Sequence, residues 1–323
     1  MAAATAGAAP AAQQGKEKKG GAGKWITLAV VGGLLVAFIG LYAALGSEGQ
    51  NEAFQPQEEF KLDPWVTLKI GGLDMSINKA VLYLFIASAL TAGTMIWIAK
   101  RMQEKPNLVQ TAVEAAYDLT NNNITRGNIP DKSMAAKWFP FIATLFFFIW
   151  FSNMIGYIPL PTNSAETFDV FGVAVPTFAI YAATANISIP LALTLVVWIS
   201  YHVEGIRAKG LFGYLKSWLP AGIEDMPFAF KAFVFAIESV SHFVRLISLS
   251  VRLFANILAG HLLLLFMGGG LAVLLGLAAL GALTFPMAFV FFVFEVGLVA
   301  TLQAFIFSTL TSIYIGGAVA ESH

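Results

Sequence analysis

The sequence predicts an all-α integral membrane protein with five to six transmembrane helices and a long, strongly tilted C-terminal helical hairpin. Three observations carry that expectation. Apolar residues make up 58% of the chain and charged residues only 12%, against about 25% charged in a soluble domain. The apolar residues gather in runs long enough to cross a bilayer. The fifth run is about twice as long as one crossing needs. Formal net charge is zero, so nothing global points to nucleic acid. The absence of cysteine excludes disulfides, thiolate metal sites and cysteine nucleophiles. No Gly-x-x-x-x-Gly-Lys-Ser/Thr motif and no metal-ligand spacing occur. No directly bound nucleotide, cofactor or metal is therefore expected.

Residues 1–24 are rich in Ala, Gly, Gln and Lys and carry no hydrophobic pattern. They are expected to form a disordered basic tail, with Lys16, Lys18, Lys19 and Lys24 clustered before the first apolar run. That run, 25–46, is uncharged. It is either an extra N-terminal transmembrane helix or a signal segment, with small residues Ala44 and Gly46 near its end. Residues 47–79 form an external polar segment, acidic through Glu48, Glu52, Glu58, Glu59 and Asp63. The core of the protein is then 80–323.

Its first span is Ala80–Ala99, closed by Lys100-Arg101. Leu108, Ala112, Ala115, Ala116 and Leu119 fall at helical spacing and predict a short surface helix over 107–119. The next span is Trp138–Ile158, stopped by Pro159, and a loop with Pro161 and Asp169 leads to another near Thr177–Tyr201. A basic loop follows with Arg207, Lys209 and Lys216. The long run Phe228–Met267 would measure about 60 Å as one helix, twice a bilayer core of about 30 Å. It must tilt strongly or break. Gly268-Gly269-Gly270 marks a turn, and Pro286 is expected to open the last helix, to about Ile315. With the N-terminus inside, segments 1–24, 100–137 and 202–227 hold four, six and three basic residues; the outside segments 47–79, 159–176 and 268–270 hold three, none and none. Both termini are therefore expected in the cytoplasm if 25–46 is retained. The triplet Asn123-Ile124-Thr125 resembles a glycosylation acceptor but falls on the predicted inner side.

The chemistry lies in the long helix. Glu238, Arg245 and Arg252 are spaced by seven, and seven positions return to within about 20° of the start. Ser241, Ser248 and Asn256 fall within about 40° of Arg252, whereas His261, nine positions on, lies on the opposite side. Two polar environments on one helix predict two separate water routes. An arginine at bilayer depth costs about 3 kcal/mol on insertion scales and about 10–17 on an isolated helix. A structural ion pair is the plain alternative, with Glu238 or Glu295 as partner, but a pair needs two residues and the stripe holds six. His242 is expected to be structural, near the helix start, and His202 interfacial. In the last helix Glu295, Gln303, Ser308 and Thr311 are polar in an apolar context. Ser308 and Thr311 are expected to bond back to their own helix.

These residues resemble the a subunit of the Fo membrane sector of F-type rotary ATP synthases. The match is strongest in "SLSVRLFANILAGH" (248–261) and "TLQAFIFSTLTSIYI" (301–315), and weaker in "AIESVSHFVR" (236–245) and "SNMIGYIPLPT" (152–162). It covers about 75–316. The resemblance implies a non-catalytic, proton-conducting subunit of a multi-pass complex in a bacterial plasma membrane. Its partners would be a ring of c subunits, each with one membrane carboxylate, the b subunits of the peripheral stalk, membrane lipids and the translocated protons. It implies that Arg252 is the essential proton-transfer arginine, with Asn256 and Gln303 flanking it. His261 and Glu295 would be the polar pair of the outer half-channel, and Glu238 part of the inner one. Ser248, Arg245 and His242 are secondary candidates. Glu295 stands eight residues before Gln303 where the family has seven, which turns it by about 100°; a one-residue bulge would restore the face. A stand-alone secondary transporter is the alternative class, but no pairing of two halves is visible.

Overall fold

The computed structural model describes residues 76–101, 105–158, 167–170, 173–176, 182–220, 226–270 and 278–320, with isolated positions among 32–43, 62–74, 103 and 222–223. The tail 1–24 lies outside the described residues, as does most of the span 25–46, whose described positions are helical.

The helices are α1 (Lys79–Arg101), α2 (Leu108–Asp118), α3 (Lys132–Gly156), α4 (Ser188–Lys216), α5 (Phe228–Leu265), α6 (Ala278–Phe294) and α7 (Ala300–Val319). Wider π turns extend three of them: Leu119–Arg126 after α2, Phe266–Gly270 after α5, and Glu295–Val299, which joins α6 to α7. Among the described residues five helical stretches are long and apolar enough to cross a membrane, with α6 and α7 making one from Thr284 to Val319. The all-α membrane fold is therefore as the composition predicts. Two small antiparallel hairpins stand outside it, β1 (Lys69–Ile70) with β2 (Leu73–Asp74) and β3 (Thr167–Val170) with β4 (Val173–Pro176), where the sequence reads as loop.

Local chemistry explains the boundaries. Asn78 accepts from the Val81 amide at 3.1 Å, Asn107 from Gln110 at 2.8 Å and Asp131 from Ser133 at 3.0 Å. Each satisfies an amide that the first helical turn leaves free. The Asp131 cap starts α3 six residues before the expected Trp138, because hydropathy does not register a polar first turn. The fourth span differs more. It starts at Ser188, behind a 3-10 turn (Ala183–Ala185), and continues to Lys216 through the expected basic loop. Asn186 accepts from the Ser188 amide at 3.0 Å, and Pro190 sits in the first turn, where its missing N–H costs nothing. The continuation is kinked at Gly210, whose φ of 73° suits a residue without Cβ. Pro286 does not open the last helix but lies inside α6, which membrane helices tolerate.

The long helix α5 is unbroken over 38 residues, about 57 Å at 1.5 Å per residue. Of the two expected solutions, a break is not found; a straight helix of that length would exceed the apolar layer unless it leaned strongly. The centre of the packing is α3, which lies against α1 and α7, while α4 packs on α5 and α7. Helix α5 buries Leu249, Leu253 and Ile257, and Ser248, Arg252 and Asn256, one residue earlier each time, remain exposed. The i, i+4, i+8 spacing thus sets a buried apolar edge beside an exposed polar one. On α7, Ala300, Ala304, Phe307, Thr311 and Ile315 are buried. Lipid is as apolar as leucine, so such contacts hold by close packing and hydrogen bonds rather than by exclusion of water.

One such bond ties α3 to α4. Lys137 Nζ lies 2.6 Å from Glu204 Oε1, and the Glu204 side chain is only 4% exposed. Arg207 stands 3.8 Å from its other oxygen. Substituting Lys137→Met leaves that buried carboxylate with its weaker partner alone. The expected loss is about 1–3 kcal/mol, read as a lower thermal unfolding midpoint in detergent; an unchanged midpoint would show that the bridge is dispensable.

Candidate functional site

Arg252 sits on the exposed edge of α5. Among the described residues no carboxylate lies within salt-bridge distance of its guanidinium. Both carboxylates named as structural partners are engaged elsewhere. Glu238 Oε1 accepts from Arg245 Nη2 at 3.3 Å, and Glu295 Oε2 accepts from the Tyr157 hydroxyl at 2.9 Å. Ser248 and Asn256, also exposed, flank Arg252 along the same edge. Gln303, 3% exposed, reaches across from α7 and donates from Nε2 to the Arg252 carbonyl at 2.7 Å. That bond pins the arginine backbone to the last helix and leaves its side chain free.

On one side of Arg252, Arg245 and Glu238, about 10 and about 21 Å away along the helix axis, line a cavity of about 440 Å³ together with Tyr201, Tyr214, His242 and Tyr314. The Arg245 guanidinium lies 5.6 Å from the centre of the Tyr314 ring. His242 is buried, with Nδ1 3.1 Å from the Tyr201 hydroxyl, and its carbonyl accepts from Trp198 Nε1 at 3.2 Å. His202 packs into the same aromatic cluster and lies 4.1 Å from the Trp198 ring, centre to centre. It is more enclosed than an interfacial residue, because α4 continues past it.

On the other side, about 14 Å from Arg252, a second cluster forms. His261 stacks on Tyr157 with ring centres 4.7 Å apart. Its Nδ1 is 2.8 Å from the Ile257 carbonyl and its Nε2 2.9 Å from the Gly156 carbonyl. Glu295, 8% exposed, opens the π turn Glu295–Val299. That turn supplies the extra residue between Glu295 and Gln303. The carboxyl fits because position 260 is glycine: a Cβ there would lie 2.5 Å from Glu295 Oε2 and 2.8 Å from the Tyr157 hydroxyl. Asn153, fully buried, accepts from Thr184 at 2.7 Å and donates to the Ala300 carbonyl at 3.4 Å. It thereby joins α3, the 3-10 turn and α7 beside this cluster.

The 248–261 segment on α5 is thus pinned to α7 by Gln303 and runs from the arginine towards the second of two separate polar clusters. The ATP synthase A chain family matches residues 81–316. The chain belongs to that family. Relatives include an ATP synthase subunit a of Rubrobacter xylanophilus, 35% identical over 254 residues, covering 78% of this chain and 88% of that protein. A second, from Frankia alni, is 33% identical over 277 residues, covering 84% and 88%. A third, from Parvibaculum lavamentivorans, is 32% identical over 286 residues and covers 87% and 100%. Family membership removes the secondary transporter as an alternative.

Some residues stand otherwise than the sequence indicates. Thr311 bonds back to the Phe307 carbonyl at 2.8 Å, as expected, but the buried Ser308 hydroxyl has no partner among the described residues. Ile124 and Thr125 of the glycosylation-like triplet are buried. Tyr157 and Asn153 were not singled out. Both lie in the 152–162 motif, and their partners Glu295 and Ala300 stand 138 and 147 residues away, which no local pattern reveals. Replacing Gly260→Val forces Glu295 or Tyr157 to move. Overpacking of this kind costs about 1–3 kcal/mol, so passive proton conduction through the assembled complex is expected to fall about tenfold or more. Conduction at the unaltered rate would show that the Glu295 position is immaterial.

Proposed function

We propose that the chain is the proton-conducting stator subunit of an F-type ATP synthase, with Arg252 as the cation that drives each ring carboxylate to release its proton. The observation that carries this reading is the guanidinium left without a carboxylate among the described residues, on an exposed edge at mid-helix. Arginine does not lose its proton in a protein. A carboxylate brought to about 4 Å gains roughly 4 kcal/mol at an effective dielectric of 20. That shifts its ionisation about a thousandfold. The ring acid therefore gives up its proton as it approaches Arg252. It moves on only after it is reprotonated from the other half-channel, because a bare charge facing lipid is costly. The fixed cation also repels protons and so blocks a direct leak between the two routes. Lysine would serve less well, since burial can neutralise it.

In this reading Glu238, with Arg245 and His242 beside it, belongs to the inner half-channel, and His261 with Glu295 to the outer one. Ser248, Asn256 and Gln303 frame the arginine. The roughly 180° between Arg252 and His261 on α5, and the axial separation of the two clusters, support two offset routes that cannot join without passing the guanidinium. The driving force is about 2.3 kcal/mol per charge per 100 mV. Catalysis of ATP formation belongs to other subunits. The c ring would lie against the exposed α5 edge, and b subunits and lipid against other faces. Both termini would be cytoplasmic in a bacterial plasma membrane if 25–46 is retained.

Two experiments test this. In membranes carrying Arg252→Ala in a fully assembled complex, proton-driven ATP synthesis is expected to fall to background. Synthesis near the unaltered rate would exclude the stator role. The orientation is read separately, because the chain has no native cysteine. Lys105→Cys is expected to react with an impermeant thiol reagent from the cytoplasmic side and Asp169→Cys from the opposite side. The reverse pattern would invert the topology.

A further inference from the structure

We infer that Tyr157 is a positioning residue of the outer half-channel, whose hydroxyl holds Glu295 by one oxygen so that protons are exchanged at the other. This rests on the reading of Glu295 as a proton carrier given above. Three observations converge on it. The phenol donates to Glu295 Oε2 at 2.9 Å in a buried site. The absence of a side chain at position 260 leaves the space in which Tyr157 and Glu295 meet, since an added Cβ would strike both. The π turn at Glu295–Val299 directs the carboxyl to that space.

The consequence is chemical. A carboxylate oxygen that already accepts from a phenol is the poorer site for a second proton, so an incoming proton is taken up at Oε1 and given up again from it. The tyrosine itself is neither consumed nor left ionised. Its ring also lies flat against His261, 24° from parallel, so one side chain sets the position of both members of the polar pair. Among the described residues, the titratable groups grouped with Glu295 are Tyr157, from the end of α3, and beyond it His261, from α5. Asn153 and Thr184 close the neighbouring volume with neutral hydrogen bonds.

The test uses the assembled complex in membrane vesicles, with passive proton conduction as the readout and subunit content as the control. Tyr157→Phe keeps the ring and its stack on His261 and removes only the hydroxyl. Conduction is expected to fall about tenfold, the scale of one lost hydrogen bond to a charged group. Tyr157→His restores an N–H donor in a different ring and is expected to recover part of that loss. Conduction in Tyr157→Phe equal to the unaltered complex, while Glu295→Gln is slow, would overturn the inference and leave the role of Glu295 standing. Equal impairment in Tyr157→Phe and Tyr157→His would also overturn it, because ring packing rather than the donor would then be what matters. Unaltered conduction in Glu295→Gln would instead remove the underlying reading of Glu295.

Discussion

A guanidinium within an apolar helix cannot shed its charge, and among the described residues Arg252 has no carboxylate to pair with. That constraint organises everything around it. Glu238 is held by Arg245, and Glu295 by Tyr157, so neither nearby acid neutralises Arg252. Gln303 binds the arginine's carbonyl rather than its side chain, which fixes the backbone without quenching the charge. Had either carboxylate turned to Arg252, the result would be an ordinary buried pair. Such a pair has no surplus attraction for a passing acid. In the proposed reading the partner comes from outside the chain, which offsets the cost of a lone cation in apolar surroundings.

The length and attitude of α5 follow from the same constraint. In the proposed reading two polar routes approach the arginine from opposite ends and opposite sides without meeting. A helix of about 57 Å has room for Glu238 some 21 Å to one side of Arg252 and His261 some 14 Å to the other. A helix of ordinary span length would bring both clusters within the reach of a short water chain. The alternation of buried Leu249, Leu253 and Ile257 with exposed Ser248, Arg252 and Asn256 then sets one edge against α4 and α7 and turns the other outwards.

Much of this was legible in the sequence, and what was not has physical reasons. The long helix, its seven-residue polar stripe and the opposed His261 follow from periodicity alone, because α5 is regular. The capped ends of α1 and α2 fall close to their expected places. Helix α3 begins early, because Asp131 caps a polar first turn that hydropathy passes over, and α4 begins late, because the apolar residues before Asn186 that hydropathy counts include a 3-10 turn. Pro286 reads as a helix start, yet the helix runs through it. The one-residue excess before Gln303 pointed to a bulge, and a π turn stands there. The hydroxyl of Tyr157 could not be foreseen, since its partner lies 138 residues away and only the folded chain brings them together.

The most direct measurement is a structure of the complete membrane complex with the rotor ring in place, at a resolution that shows the Arg252 side chain. The account predicts the guanidinium extended from the exposed edge of α5 to within about 4 Å of a ring carboxylate, directly or through one water, with Glu238 and Glu295 still bound to Arg245 and Tyr157. A guanidinium folded back against Glu238 or Glu295, with no rotor acid near it, would contradict it.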